Sequence, residues 1–191
     1  MCSPTIRSSS PGKDTDLQLT TRVLEQRYCN DANSEDQFSV KMQLELQYKN
    51  TGKAPIIFEK SSDLILGYKS AADLKYLQSL PFQEFAAARH HRGVSETGDK
   101  PSSDFVILRP NQTYLIEAYF RLPYSNEWAL KENQILQIVV GVWSGTKKQS
   151  EELKAKWKSM GLLWTDDARS QPMPFSIEQD PQIEECSATA K

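Results

Sequence analysis

Apolar and polar residues alternate most regularly over residues 38–49, where every even position from Phe38 to Tyr48 is apolar and every odd position is polar. A period of two is the repeat of a β-strand that has one face against a core and one face in water. An α-helix would place the same apolar residues all around its circumference. The segment is therefore predicted to be a strand of antiparallel type, because fully buried parallel strands are continuously apolar.

Other segments show alternating or continuous apolar residues and are also predicted to be strands. They are residues 17–23, 54–59, 64–68, 105–108, 113–122, 134–143 and 173–178. Residues 50–53 (Asn-Thr-Gly-Lys) and 109–112 (Arg-Pro-Asn-Gln) are typical turn sequences, so they indicate two hairpin-like connections. Residues 134–143 are apolar on both faces, which predicts a central strand that is packed on each side.

Segment 113–122 differs from residues 38–49 in its nominally outer face. Leu115 and Tyr119 occupy that face beside Thr113, Glu117 and Arg121. We expect this face to be partly covered or adhesive, because large apolar side chains seldom line the wet side of a strand by chance.

Together these segments predict seven or eight strands with no alternation of strands and helices. This pattern is typical of an all-β, antiparallel β-sandwich, with one or two short helices inserted in loops. Ser70 and Asp73 have the spacing of a capping box that could begin the first helix. Thr146 and Gln149 have the same spacing before a second helix, whose apolar positions are Leu153, Trp157 and Met160, and which Gly161 would end in left-handed geometry. We expect this helix to pack over strand 134–143 or across one end of the sandwich.

The length and charge of the chain exclude several classes of protein. The 191 residues suit one domain, with residues 1–16 a flexible lead, residues 17–186 the sandwich and residues 187–191 a polar tail. Because 23 basic residues face 25 acidic ones, no basic excess exists to drive phosphate binding, and we expect no nucleic-acid partner. The apolar stretches are only a few residues long, so no transmembrane segment is expected.

Two motifs resemble a known family. Residues 48–57 (Tyr-Lys-Asn-Thr-Gly-Lys-Ala-Pro-Ile-Ile) are similar to the Asn-Thr-Gly hairpin of bacterial immunoglobulin-like domains, and residues 108–114 (Leu-Arg-Pro-Asn-Gln-Thr-Tyr) resemble their Pro-Gly-Glu turn. Asn111 and Gln112 stand where that family usually has Gly and Glu. The resemblance implies an immunoglobulin-like fold of the kind found in secreted and cell-surface bacterial proteins, among them adhesion modules and a proteinase-inhibitor-like group. It covers about a tenth of the chain and carries over no catalytic or binding residue.

The cysteines bear on the compartment. In immunoglobulin-like sandwiches the first and last strands often pair in parallel, which would bring Cys29 and Cys186 to the same end of one sheet. A disulfide between them would contribute about 5 kcal/mol in the chain-entropy account and would indicate an oxidising compartment. The alternative is two unrelated free cysteines.

Cys2 would then be unpaired. With the Ser- and Pro-rich residues that follow it, it resembles the lipid-carrying start of a mature bacterial lipoprotein, which would tether the chain to a membrane. The alternative is an incidental exposed cysteine in a tail. We therefore expect an extracytoplasmic location, periplasmic or at the cell surface, with the cytoplasm as the alternative.

The sequence contains no recognisable catalytic set. His90 and His91 are the only histidines, and adjacent residues of a strand face opposite ways, so metal binding is not expected. No phosphate-binding glycine motif is present, and no cofactor is expected. The acidic pairs Asp166–Asp167 and Glu184–Glu185 are interpreted as solvated charge.

The aromatic residues of the loops remain as contact candidates. Tyr124, Trp128 and Trp164 are predicted to be exposed, within loop segments 123–133 and 144–170. The expected function is a monomeric, non-enzymatic binding or scaffolding module for an unknown protein or polysaccharide. The alternatives are a proteinase-inhibitor-like module, a carbohydrate-binding module that uses these aromatics, and a hydrolase that depends on one of the two histidines.

Overall fold

The structure is a computed structural model that describes residues 16–30, 38–60, 63–71, 83–87, 98–123, 133–178 and 181–185. The described part is mostly β, with twelve strands and one helix. The strands are β1 Leu17–Asn30, β2 Phe38–Asn50, β3 Ile56–Glu59, β4 Asp63–Ala71, β5 Gln83–Ala87, β6 Phe105–Leu108, β7 Thr113–Pro123, β8 Asn133–Gly141, β9 Leu162–Leu163, β10 Ala168–Arg169, β11 Met173–Phe175 and β12 Ile183–Glu185. The helix α1 spans Lys147–Trp157. The prediction of seven or eight strands was too low: β5, with five residues, and β9, β10 and β12, with two or three residues each, were not predicted, because segments this short show no clear periodic pattern.

The first sheet has the order β12-β1-β2-β7. Its centre is β2, which pairs antiparallel with β1 on one side and with β7 on the other. The even residues of β2 from Val40 to Tyr48 are buried, as their alternation predicts. β12 pairs in parallel with β1, so the sheet is mixed, and the first and last strands pair as the resemblance implied.

Two further sheets complete the described structure. One has the order β10-β8-β4-β5, with β11 also paired to β8. β8 is therefore a central strand, as the apolar residues on both its faces predicted. The other sheet has the order β6-β3-β9. The inward faces of all three sheets meet in one apolar core, to which they contribute residues such as Leu44, Phe58 and Ile138.

Neither of the two predicted hairpins is present. β2 and β7 belong to the first sheet, where β2 pairs with β1 and β7. β3 and β6 belong to another sheet, where β3 pairs with β6 and β9. The chain therefore crosses between sheets from β2 to β3 and again from β6 to β7. The turn residues do reverse or redirect the chain locally, but both edges of β2 are already occupied. Pairing over long distances in the sequence therefore decides the partner, and turn chemistry alone does not.

The helix α1 begins as predicted and packs on the sheet that contains β3. The side chain of Thr146 accepts a hydrogen bond from the backbone of Gln149, and the Gln149 side chain accepts one from Thr146 N–H, which completes a capping box. Leu153 and Trp157 then pack against Ile57 of β3 and residues near it. The helix thus covers the outer face of the β6-β3-β9 sheet and does not lie over β8, because the neighbouring β3 residues Ile56 and Ile57 point to opposite faces and both need cover.

Two local predictions were wrong. Gly161 has φ of +159°, which is far from the left-handed helical value near +60° but still a positive value that residues with a side chain rarely adopt. Close approach also requires glycine there, since a Cβ atom would lie 2.7 Å from the carbonyl oxygen of Pro55. Ser70 belongs to β4 and does not begin a helix. The remainder of that predicted helix, residues 72–82, lies outside the described residues.

Candidate functional site

Asn50 fixes the place where the two crossing connections meet. Its side chain is fully buried, and its Nδ2 donates hydrogen bonds to the carbonyl oxygens of Leu108, at 2.7 Å, and Ala54, at 2.9 Å. Its Oδ1 accepts a hydrogen bond from the N–H of Gly52, at 2.9 Å. One amide side chain therefore satisfies backbone groups of both connections, which holds β3 and β6 next to the start of β7.

The backbone of Asn50 adds to this junction. Its N–H donates to the carbonyl oxygen of Gln112 at 3.1 Å, and its own carbonyl accepts from the N–H of Asn111 at 2.8 Å. Asn111 has φ of 64°, the left-handed conformation that Asn tolerates better than most residues. The side chain of Gln112 accepts a hydrogen bond from Arg109 N–H at 2.9 Å. These conformations and hydrogen bonds explain why Asn111 and Gln112 can stand where the family usually has Gly and Glu. They also fix the register in which β7 leaves the turn.

The outer face of β7 is exposed. Leu115 keeps 55% and Tyr119 66% of its surface accessible, the largest values among the large exposed apolar residues of the described chain. Thr113, Glu117 and Arg121 are exposed on the same face. Leu115 and Tyr119 are therefore not covered by the described part of the chain, and that the face is adhesive stays a prediction.

Polar side chains from β2 and β1 surround the two apolar ones. Tyr119 lies opposite Gln43 in the ladder, and Gln43 Nε2 donates a hydrogen bond to Glu117 Oε2 at 2.8 Å. Further across the sheet, Arg22 forms an ion pair with Glu45 at 3.2 Å. The arrangement is an apolar strip with a polar margin, which we call the β7 face: Leu115, Glu117, Tyr119, Arg121 and Gln43.

Basic residues lie at one end of this sheet. Arg27, Lys41 and Arg121 are neighbours across three strands. The carboxylate of Glu25 forms a hydrogen bond to Arg27 and an ion pair at 2.6 Å, and it raises the pKa of that guanidinium. The β7 face therefore has a cationic end, next to Arg121, and an acidic centre at Glu117.

The aromatic residues proposed from the sequence are not gathered at one surface. Trp164 was expected to be exposed, and this is wrong: its side chain is 6% exposed and lies in the core. The reason is that the chain after β9 continues to pair beside β3, where the N–H of Trp164 donates to the carbonyl oxygen of Ile57 at 2.8 Å, and this turns the side chain inward. Tyr124 and Trp128 lie outside the described residues.

Cys29 is buried at the end of β1, and its sulfur is in a disulfide bond. The other two cysteines of the chain, Cys2 and Cys186, both lie outside the described residues, so the structure does not identify the bonding partner. Cys29 lies opposite Glu184 in the parallel pairing of β1 with β12.

The buried carboxylate of Glu59 is the other notable polar group, and no pattern in the sequence marks it. It accepts hydrogen bonds from Ser144 N–H at 2.9 Å and from Ser144 Oγ at 2.9 and 3.0 Å. It therefore ties the end of β3 to the segment between β8 and α1, and we interpret it as a structural anchor.

Within the described part of the chain, no group of three or more His, Cys, Asp and Glu residues could hold a metal ion. His90 and His91 are outside the described residues, and Asp166 and Asp167 are exposed, as are Glu184 and Glu185. Among the described residues, no helix has the length and apolar character needed to cross a bilayer.

Comparisons with known proteins add little. No family model matches the chain, and no curated protein matches it. Among solved structures, one is described as the X-ray structure of Northeast Structural Genomics Consortium target SoR45. It is 14% identical over 91% of this chain and 95% of that chain, with a TM-score of 0.37. That score is too low to assign a fold.

Proposed function

We propose that this protein is a non-enzymatic, extracytoplasmic binding or scaffolding module with an immunoglobulin-like arrangement of strands, and that the β7 face is its contact surface. The observation that carries the proposal is the pair Leu115 and Tyr119, exposed on one strand face of an ordered sheet. Single exposed apolar residues are ordinary on protein surfaces. Two large ones on the same face, about 13 Å apart along one strand, form a strip that a partner could cover.

The composition of the β7 face favours a protein partner over a polysaccharide. Sugar-binding platforms stack rings on aromatic side chains, and among the described residues this face offers one aromatic ring, that of Tyr119. An aliphatic side chain, a tyrosine and paired charges within one strip are typical of the core and margin of a protein–protein interface. The polysaccharide alternative rests on Tyr124 and Trp128.

The immunoglobulin-like arrangement is supported by the pairing of the first and last strands. β1 and β12 run parallel at the edge of the first sheet, as the resemblance of the turn motifs implies. The division of the described strands into three sheets departs from the two-sheet form of that fold.

The extracytoplasmic location is supported by the disulfide of Cys29, because such bonds persist in oxidising compartments. We propose Cys186 as the partner. If β12 continued straight, residue 186 would lie opposite residue 31, two positions beyond Cys29, so the proposed bond requires a turn after Glu185, where β12 ends. Cys2 then remains for a lipid anchor.

Peptide mapping of non-reduced protein tests the pairing. We expect one peptide pair joined through Cys29 and Cys186, and Cys2 either lipidated or alkylatable. Alkylation of both Cys29 and Cys186 in protein isolated without reductant from its native source would contradict the location as well as the bond.

Photo-crosslinking tests the contact surface. A benzophenone amino acid is placed at Tyr119, and in a matched variant at Ile107, which is also exposed but lies on β6 of another sheet. In the native source we expect adducts of a distinct protein from position 119 and none from position 107. Equal adducts at both positions, or none at position 119 together with binding to a glycan array, would refute the assignment. Adducts of twice the mass of the chain report self-association and are scored separately.

A further inference from the structure

The open edge of β7 carries a pattern that is complementary to itself. Among the described strands β7 pairs only with β2, over eleven residues, so its second edge has no strand partner there. Its inward residues Tyr114, Ile116 and Ala118 are only partly buried, whereas Leu44 and Leu46, opposite them on β2, are fully buried. An edge strand of this length is a template for pairing with another strand.

The hydrogen bonds of the β2–β7 ladder show which groups point to the open edge. Asn50 N–H donates to the carbonyl of Gln112, which directly precedes β7 and is in phase with its even-numbered residues. In an antiparallel ladder alternate residues direct both backbone groups to the same neighbour. The even residues of β7 therefore bond to β2, and the odd residues Leu115, Glu117, Tyr119 and Arg121 direct their N–H and C=O groups to the open edge.

We propose that a second copy of this chain pairs with this edge, antiparallel and about a two-fold axis at Tyr119. In that register Tyr119 lies opposite Tyr119 of the other copy, and Glu117 lies opposite Arg121 twice, so both ends of the contact combine opposite charges. A two-fold axis at Ala118, Phe120 or Glu117 does not pair Glu117 with Arg121. For example, an axis at Ala118 sets Leu115 against Arg121, and an axis at Glu117 sets the Glu117 carboxylates of the two copies against each other. Like charges directly opposite each other destabilise a sheet.

The proposed contact extends the four-stranded sheet into one of eight strands. Odd residues from Leu115 to Pro123 face one another, and since Pro123 has no N–H, about eight main-chain hydrogen bonds form across the axis. Pro123 ends the pairing for the same reason. The contact is isologous, so it closes at two copies and does not propagate. It replaces the monomer expected from the sequence.

This dimer goes beyond the proposed binding function and does not depend on it. Strand pairing uses the backbone edge of β7, whereas a protein partner would lie on the side chains of the β7 face. In the dimer the two faces continue into one another with their Tyr119 rings adjacent at the centre.

Sedimentation equilibrium of the full chain over a range of concentrations provides the test. We expect a mass that rises toward twice 21.7 kDa. Glu117→Arg and Arg121→Glu each place like charges at both ends, so each should weaken dimerisation at least tenfold. The double variant exchanges the charges and should recover it, and an equimolar mixture of the two single variants should form a mixed dimer, because every pair is then Arg against Glu.

Arg22→Glu is the matched control, since it reverses a charge on the same face two strands away from the open edge and should leave the dimer intact. Tyr119→Pro removes an N–H that points to the open edge and should yield a folded monomer, verified by its circular dichroism. A wild-type chain that stays at 21.7 kDa at every concentration overturns the dimer and leaves the edge to another segment of the same chain. Single reversals that dimerise as well as the wild type overturn the register.

Discussion

Replacement of Asn50 by Ala is the most informative perturbation of the fold. The variant removes three side-chain hydrogen bonds, to the backbone of Leu108, Ala54 and Gly52, from a site with no solvent access. A typical intramolecular hydrogen bond contributes about 1 kcal/mol net, and a buried group left without a partner costs about 1–3 kcal/mol. Because Leu108 is buried as well, its carbonyl has little access to replacement water. We therefore expect the free energy of unfolding to fall by about 3 kcal/mol.

Urea unfolding, followed by tryptophan fluorescence, measures this loss. Lys49→Ala is the matched control, since Lys49 is the exposed neighbour on β2, and its replacement should change stability by less than about 0.5 kcal/mol. Asn50→Asp should cost at least as much as Asn50→Ala at neutral pH, because a carboxylate would face two carbonyl oxygens and could not donate to them. A loss below about 1 kcal/mol for Asn50→Ala, with an unchanged denaturant slope, would refute the idea that this amide joins the two crossings.

Three further perturbations have defined outcomes. Asn111→Ala places an ordinary side chain in left-handed geometry and should cost about 1 kcal/mol, whereas Asn111→Gly should cost nothing, both measured by urea unfolding. Ser144→Ala removes the hydroxyl donor to the Glu59 carboxylate and should cost about 1.5–3 kcal/mol; a loss within error would contradict the anchor. Burial raises the pKa of Tyr48 far above its ordinary value, so above about pH 10 the unfolded chain releases this proton and the folded chain retains it. Stability should therefore fall as pH rises above 10, by up to about 1.4 kcal/mol per pH unit from this group, and Tyr48→Phe should reduce the slope of unfolding free energy against pH; an equal slope would contradict the shift.

The elements with long periodic patterns were predictable from the sequence. β2 and β8 were identified with their correct faces, because burial of one face or of both leaves a direct record in the order of apolar residues. The start of α1 was predictable for another local reason, since Thr146 and Gln149 satisfy each other's backbone groups without help from the rest of the fold.

Strand partners and short strands were not predictable. The turn sequences after β2 and β6 suggested hairpins, yet both lead to another sheet, because the pairing of β3 with β6 is set by burial and not by local chemistry. Trp164 shows the same limit: the acidic residues Asp166 and Asp167 that follow it suggest a loop, but pairing beside β3 places it in the core. Glu59 gave no signal at all, since its role depends on Ser144, which is 85 residues away.

The candidate contact surface was partly predictable. Leu115 and Tyr119 stood out because they break the alternation of a strand that otherwise keeps polar residues outside. That they are exposed, and that Glu117 and Arg121 are placed symmetrically about Tyr119 on an open edge, required the ladder with β2.

The central claim is that the β7 face is open to a partner, and solution NMR with a soluble paramagnetic probe tests it most directly. The account predicts that the Leu115 methyl groups and the Tyr119 ring are relaxed by the probe as strongly as the methyl groups of exposed Ile107. Relaxation as weak as that of buried Leu44 would show that another part of the chain covers this face, and it would contradict the proposed contact surface.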